Sequence, residues 1–225
     1  GPGQDPTWCT LEYFEIVDLT PGERHTFTRQ GEREKLMVLQ GQCDLEVTGS
    51  DTSHPESSSG HKFSLEPSDG EFAVTQVIEP TRILRICGRW GPGCETFGQF
   101  TPAGRTPSRN PGDAYDYPKT NGINRHYHDC DEYWIIVEGR GRAMSEGVFY
   151  DVSPVDCVAT GMGHHHDFPE DYEPVKSVYM ETDLEGQKRR GHLWEYKHGK
   201  AHPRNCSQWK LGNRWHPNSM RCLER

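Results

Sequence analysis

The sequence predicts an all-β chain folded as two small β-barrels, and three observations carry that expectation. Glycine (24) and proline (16) recur throughout the 225 residues and cut the chain into short segments. No apolar repeat of helical period is sustained over three or four turns. A short motif occurs twice: Glu34-Lys-Leu-Met-Val-Leu-Gln-Gly41 and Glu132-Tyr-Trp-Ile-Ile-Val-Glu-Gly139 each place a glutamate seven residues ahead of a glycine, with an apolar run between. Such an internal repeat points to two copies of one β unit.

In the first copy, strands are expected at Phe14 to Val17, Lys35 to Leu39, Cys43 to Val47, Phe72 to Ile78 and Thr81 to Cys87. Thr20-Pro21-Gly22-Glu23 is a turn, with proline preset for its bend. Cys43-Asp-Leu-Glu-Val47 alternates with period two, as a half-buried strand does. Residues 49–61 are rich in Ser, Asp, Gly and His and are read as a loop. Four prolines between 101 and 121 deny that stretch a regular ladder, so it is read as a connector. In the second copy, strands are expected at Glu132 to Val137, Gly141 to Ser145, Val148 to Val152, Cys157 to Ala159 and Val175 to Glu181. From Gly186 the chain turns polar and basic without a clear period. The expected division is a first barrel over 1–104, a linker over 105–120, a second barrel over 121–200 and a polar tail over 201–225.

Composition excludes several functions. The net charge is −9, and no basic stripe interleaved with aromatics is present, so nucleic acid is not an expected partner. The only basic run, Lys188-Arg189-Arg190, reads as a solvated turn. No stretch approaches the ~18 apolar residues of a membrane span, and no signal-peptide core follows the N-terminus. The eight cysteines contain no C-x-x-C pair. Cys43, Cys87 and Cys157 lie in apolar strand contexts that suit buried thiols, and a cytoplasmic location is expected.

The chemistry is concentrated in His126-Tyr-His128-Asp-Cys-Asp-Glu132. Residues two apart on a strand share a face, so His126 and His128 present two imidazoles side by side. A tight bend through Asp129-Cys130-Asp131 returns Glu132 to the same face. A third nitrogen donor is offered by Gly161-Met-Gly163-His164-His165-His166. Three imidazoles and one carboxylate suit a single divalent ion (Fe, Mn, Ni, Co or Zn) with positions left open. Beside them, Arg140 and Arg142 could clamp a substrate anion, Tyr127 and Trp134 could line a pocket, and Asp167 could orient a ligating histidine. Arg142, Tyr127 and Asp167 are therefore the catalytic candidates. His192, His198 and His202 read as surface residues of the tail.

The second half resembles the cupin superfamily. His126, His128, Glu132 and Gly139 match its first motif, G-x5-H-x-H-x3,4-E-x6-G, and Gly161-Met-Gly163-His164-His165-His166 follows P-x-G-x2-H of the second, with glycine in place of proline. The resemblance covers residues 122–182 and registers His166 as the fourth ligand; a shift of one or two residues would substitute His165 or His164. It implies a bicupin: two cupin-type β-barrels, each a jelly roll or double-stranded β-helix. The first is a degenerate copy without metal, since no H-x-H precedes Glu34, whose carboxylate is then a surface or structural group. It further implies a metal-dependent enzyme acting on a small, oxygen-rich metabolite such as a sugar or sugar acid, of isomerase, epimerase or lyase type. The alternatives are an Fe(II)-dependent dioxygenase and a non-catalytic ligand-binding protein. A small-molecule substrate and a homodimer are the expected partners.

Overall fold

The computed structural model of the protein describes residues 8–94, 96–102, 112–204, 214–216 and 221–223. Contacts divide the chain into two compact units, one of Thr10–Trp90 and one of Gly1–Cys9 with Gly91–Arg225.

The unit Thr10–Trp90 contains β1 (Leu11–Leu19), β2 (His25–Thr26), β3 (Arg33–Gln40), β4 (Gln42–Val47), β5 (Ser53–Ser58), β6 (Lys62–Leu65), β7 (Phe72–Val77) and β8 (Thr81–Gly88). They form two antiparallel four-stranded sheets, ordered β1-β8-β3-β6 and β2-β7-β4-β5. Apolar residues of the expected strands face one another across the unit, among them Leu36, Val38, Leu45, Phe72, Val74 and Ile83, all buried. The stretch 49–61 is not a plain loop. Its residues 53–58 pair with β4, because main-chain hydrogen bonds at the sheet edge do not require apolar side chains.

Glu34 is fully buried and is a structural carboxylate. Its charge is met by the Arg85 guanidinium, 3.5 Å away, and by the backbone N–H of Gln30, which donates at 2.8 Å. The same guanidinium pairs with Glu15 at 2.6 Å and donates to the carbonyl of Thr28 at 2.8 Å. Arg85 lies opposite Glu15 across β1 and β8, so sheet register brings these charges together.

The other unit contains β9 (Phe97–Phe100), β10 (Glu132–Glu138), β11 (Gly141–Ser145), β12 (Val148–Val152), β13 (Cys157–Thr160), β14 (His166–Asp171), β15 (Lys176–Glu181), a single-turn α1 (Glu195–His198), β16 (Arg214–His216) and β17 (Arg221–Leu223). Its sheets are ordered β17-β16-β13-β10-β15-β9 and β12-β11-β14. Trp134, Ile136, Val158, Phe168 and Val175 form the core. The division differs from the expected one. The first compact unit ends at Trp90 rather than at 104, because β9 pairs with β15 of the second sheet. The 105–120 connector is partly outside the described residues; its described part is packed, with Asp113 and Lys119 holding ion pairs to His165 and Asp167. Of the 201–225 tail, which lies largely outside the described residues, residues 214–216 pair with β13 as β16.

The repeated glycines have one cause. Gly41 and Gly139 both take positive φ (+82° and +77°), and a Cβ at either would collide with the carbonyl of a proline, Pro80 or Pro174, just before β8 or β15. Among the described residues no helix is long and apolar enough to cross a membrane.

Arg85→Ala should strand the buried Glu34 charge and destabilise the unit Thr10–Trp90 by about 3–5 kcal/mol, read as a lower urea midpoint; an unchanged midpoint would contradict this account of Glu34.

A candidate metal centre

The strand-like segment around His126 is held by an isolated antiparallel bridge to β14. The N–H of His126 donates to the carbonyl of His166 at 3.2 Å, and the reverse bond is 2.8 Å. Alternation then sends His126 and His128 to one face and Tyr127 to the other. The bend after His128 is fixed by Asp131. Its carboxylate accepts the N–H of Met162 at 2.8 Å and pairs with Arg204 through both oxygens (2.8 and 2.9 Å). Asp131 thereby ties the first histidine segment to the Gly161–Gly163 turn that carries the second. Gly163 has φ +76°, donates to the carbonyl of His128 at 2.8 Å and would lose its fit with the backbone of His202 if it bore a Cβ.

His126, His128, Glu132 and His166 converge, with one donor atom from each lying within 4.8 Å of the others. All four are buried. His126 Nε2 is 3.1 Å from His128 Nε2, and Glu132 Oε2 is 3.3 Å from His128 Nε2 and 2.8 Å from His166 Nε2. Each imidazole turns its Nδ1 to a main-chain carbonyl: His126 to Asn124 (2.8 Å), His128 to Gly191 (3.0 Å) and His166 to His164 (2.9 Å). A carbonyl only accepts, so each neutral ring carries its proton on Nδ1 and aims an Nε2 lone pair inward. Glu132 Oε2 and His166 Nε2 form no hydrogen bond of acceptable geometry despite their closeness. Three lone pairs and a carboxylate oxygen thus face one another in a buried space. That donor set fits a divalent cation.

The ionisation of the cluster follows from the same crowding. Burial, reinforced by the neighbouring imidazoles of His166, His192 and His128, holds His126 well below its ordinary pKa and keeps it neutral. Burial is the largest single influence on His128 too, but the Glu132 and Glu181 carboxylates and the Gly191 carbonyl together outweigh it and raise the imidazole. Against its own burial, Glu132 is held well below the carboxylate range by His128 and His166. Without a metal ion, a proton on His128 is the charge that balances Glu132.

The other two histidines of the triplet point elsewhere. His164 Nε2 lies 3.1 Å from the carbonyl of Arg204, and His165 Nε2 lies 3.0 Å from Asp113. The three catalytic candidates also stand away from the cluster. Arg142 is half-buried on β11, paired with Asp151 (3.0 Å) and Glu170 (3.1 Å) on its own sheet rather than turned to the cluster. Tyr127 alternates away from the ligands into a pocket with Leu193 and Ala201, its hydroxyl donating to the carbonyl of Gly199 at 2.9 Å. Asp167 is a buried counter-ion of Lys119 (2.6 Å) that accepts the Tyr117 hydroxyl at 2.7 Å. It orients no ligating histidine, since it alternates to the opposite face from His166.

The cluster opens into a cavity of about 360 Å³. Its wall includes Trp134, as the strand alternation foretold, and also Phe100, Tyr179, Glu181, Arg190 and His192, which sequence reasoning missed. Glu181 was within reach of the sequence. It ends β15 two residues after Tyr179, on the same face, and pairs in register with Glu132. Its carboxylate is 3.9 Å from His128 Nδ1, and burial raises its pKa. His192 is stacked on His126, with centroids 3.7 Å apart and planes 12° from parallel. No local pattern marks that contact.

No family model matches the chain. A curated relative, the uncharacterized protein y4oW of Sinorhizobium fredii, is 40% identical over 198 residues, which covers 88% of this chain and 90% of the relative. Among solved structures, AerE from Microcystis aeruginosa superposes with a TM-score of 0.54 at 11% identity, over 75% of this chain and 86% of that one. Oxalate decarboxylase from Bacillus subtilis superposes with a TM-score of 0.52 at 10% identity, over 78% and 69%.

Replacing both His126 and His128 with alanine should abolish metal binding. Glu132→Ala should weaken it by more than the about 10–100-fold typical of losing an outer partner. His165→Ala should retain it. Elemental analysis of protein prepared without a histidine tag checks all three, and metal content that survives the double replacement would refute the site.

Proposed function

We infer that this chain, which belongs to the cupin superfamily and to one family with the rhizobial relative, is a metal-dependent enzyme acting on a small, oxygen-rich metabolite. A sugar or sugar acid undergoing isomerisation or elimination fits best. The observation that carries this reading is the juxtaposition, in one cavity, of two members of the donor cluster, His126 and Glu132, and a carboxylate, Glu181, that is not a member of it. A divalent ion held by His126, His128, Glu132 and His166 would supply a Lewis acid for adjacent substrate oxygens.

The chain's own residues supply the rest. Glu181 faces the cavity from the end of β15 and is placed to take a proton from the carbon beside a substrate carbonyl. In an isomerisation that proton is returned to the neighbouring carbon; in an elimination it leaves with the departing hydroxyl as water. Phe100, Trp134 and Tyr179 form a ring wall, with Phe100 5.4 Å from Trp134 and 6.2 Å from Tyr179, and they limit access of water. The Nδ1 bonds of the three histidines keep the donor cluster in place while the proton moves.

The same ring wall favours a second reading, an Fe(II)-dependent dioxygenase of a small molecule with a flat apolar part. Oxygen uptake by iron-loaded protein in the presence of such compounds would select it.

For the first reading, metal-loaded protein in deuterium oxide should exchange a carbon-bound proton of at least one member of a sugar and sugar-acid panel, followed by NMR. Glu181→Gln should slow that exchange by about 100-fold or more with metal content unchanged. Neither exchange nor turnover across the panel would dismiss it.

A further inference from the structure

The segment between β15 and α1 lacks regular structure, yet it is tied down at nearly every step to the residues that carry the metal cluster. The N–H of Glu185 donates to the carbonyl of Asp129 at 2.6 Å, and that of Arg189 to the Asp129 carboxylate at 3.0 Å. The carbonyl of Gly191 accepts from His128 Nδ1. His192 lies flat on His126, and its Nδ1 is 3.1 Å from the side-chain oxygen of Asn124, the residue whose main-chain carbonyl holds His126. Leu193 is buried and exchanges both main-chain hydrogen bonds with Tyr127 (3.0 and 3.1 Å). Arg190 stands between two anchored neighbours, so its place in the cavity wall is set by the same backbone that sets the ligands.

Charge is distributed unevenly along that cavity. Glu132 and Glu181 are drawn to one imidazole, His128, at 3.3 and 3.9 Å, so the negative charge gathers at the metal end. Arg190 is solvent-exposed and therefore lies at the mouth. Among the described residues lining the cavity it is the one lysine or arginine. A divalent ion held by the donor cluster would offset the two carboxylates and leave the cavity positive within a chain of net charge −9. A guanidinium offers a planar fork that matches a carboxylate.

We propose that Arg190 makes this site selective for a small molecule that bears a carboxylate, held at the mouth while its other oxygens reach the metal end. The inference rests on the reading of the cavity as the substrate site and narrows it from neutral and acidic metabolites to the acids. It also moves the anion-binding role from Arg142, which does not line the cavity, to Arg190, which does.

Calorimetric titration of the full chain, metal-free and manganese-loaded, tests this with matched pairs: glycolate against ethylene glycol, and gluconate and glucarate against glucose and sorbitol. At least one acid should bind about tenfold more tightly than its neutral counterpart. Arg190→Ala should erase the preference, Arg190→Lys should keep part of it, and Arg142→Ala should leave it intact. The proposal is overturned if no acid is preferred, or if the preference persists in Arg190→Ala. Metal content is measured on the same samples. An Arg190-dependent preference in protein that takes up no metal would count against the metal-dependent reading alone, and normal metal uptake without any acid preference would count against this proposal alone.

Discussion

The structure around the centre depends on one electrostatic constraint: three buried imidazole lone pairs and a carboxylate oxygen face a common point. Each ring is committed by its Nδ1 to a main-chain carbonyl, so no ring can turn its proton inward without losing that bond. An uncompensated arrangement of this kind in a low-dielectric interior costs several kcal/mol at least. A cation removes the cost, and a proton on His128 is a partial substitute. Much of the surrounding architecture serves to hold these groups in register: the bridge between His126 and His166, the double hydrogen bond of Asp131 to Arg204, and the tight turn at Gly163.

The unit Thr10–Trp90 solves the same problem with a covalently attached cation. Glu34 occupies the position in its repeat that Glu132 occupies in the other, and both are buried. Opposite Glu34 in register stands Cys87, where Glu181 stands opposite Glu132. In place of converging imidazoles, the Arg85 guanidinium reaches Glu34 and Glu15. A buried carboxylate at this strand start thus persists in both copies, and the partner decides its consequence. With arginine it is a structural ion pair. With three histidines it is a donor set with room for an exchangeable ion.

The segment that follows the last core strand gives the centre its outer wall. It supplies the Gly191 carbonyl to one ligating ring, the His192 face to another and the Arg190 side chain to the cavity. The short basic run Lys188-Arg189-Arg190 therefore reaches the cavity wall through its neighbours rather than through its own composition. Position along the backbone, fixed by bonds to Asp129 and Tyr127, selects which of the three cations meets the cavity.

The β class, the two-copy organisation and the strands around Leu36, Leu45, Trp134 and Val178 were legible because short apolar or alternating runs bounded by turn residues are local properties. So were His126, His128 and Glu132, which lie within one bend of each other. The edge strand at 53–58 was not, since its pairing is through main-chain groups that any residue carries. The choice of His166 over His164 and His165 from the residues alone, the removal of Arg142, Tyr127 and Asp167 from the site, and the recruitment of Glu181, Arg190 and His192 all waited on tertiary structure. By itself the sequence determined which side chains could bind an ion, because ligand type and strand period are written in short segments. Only the folded chain decided which of them share a space, because that depends on hydrogen-bond register between strands and on where a distant, patternless segment is pinned.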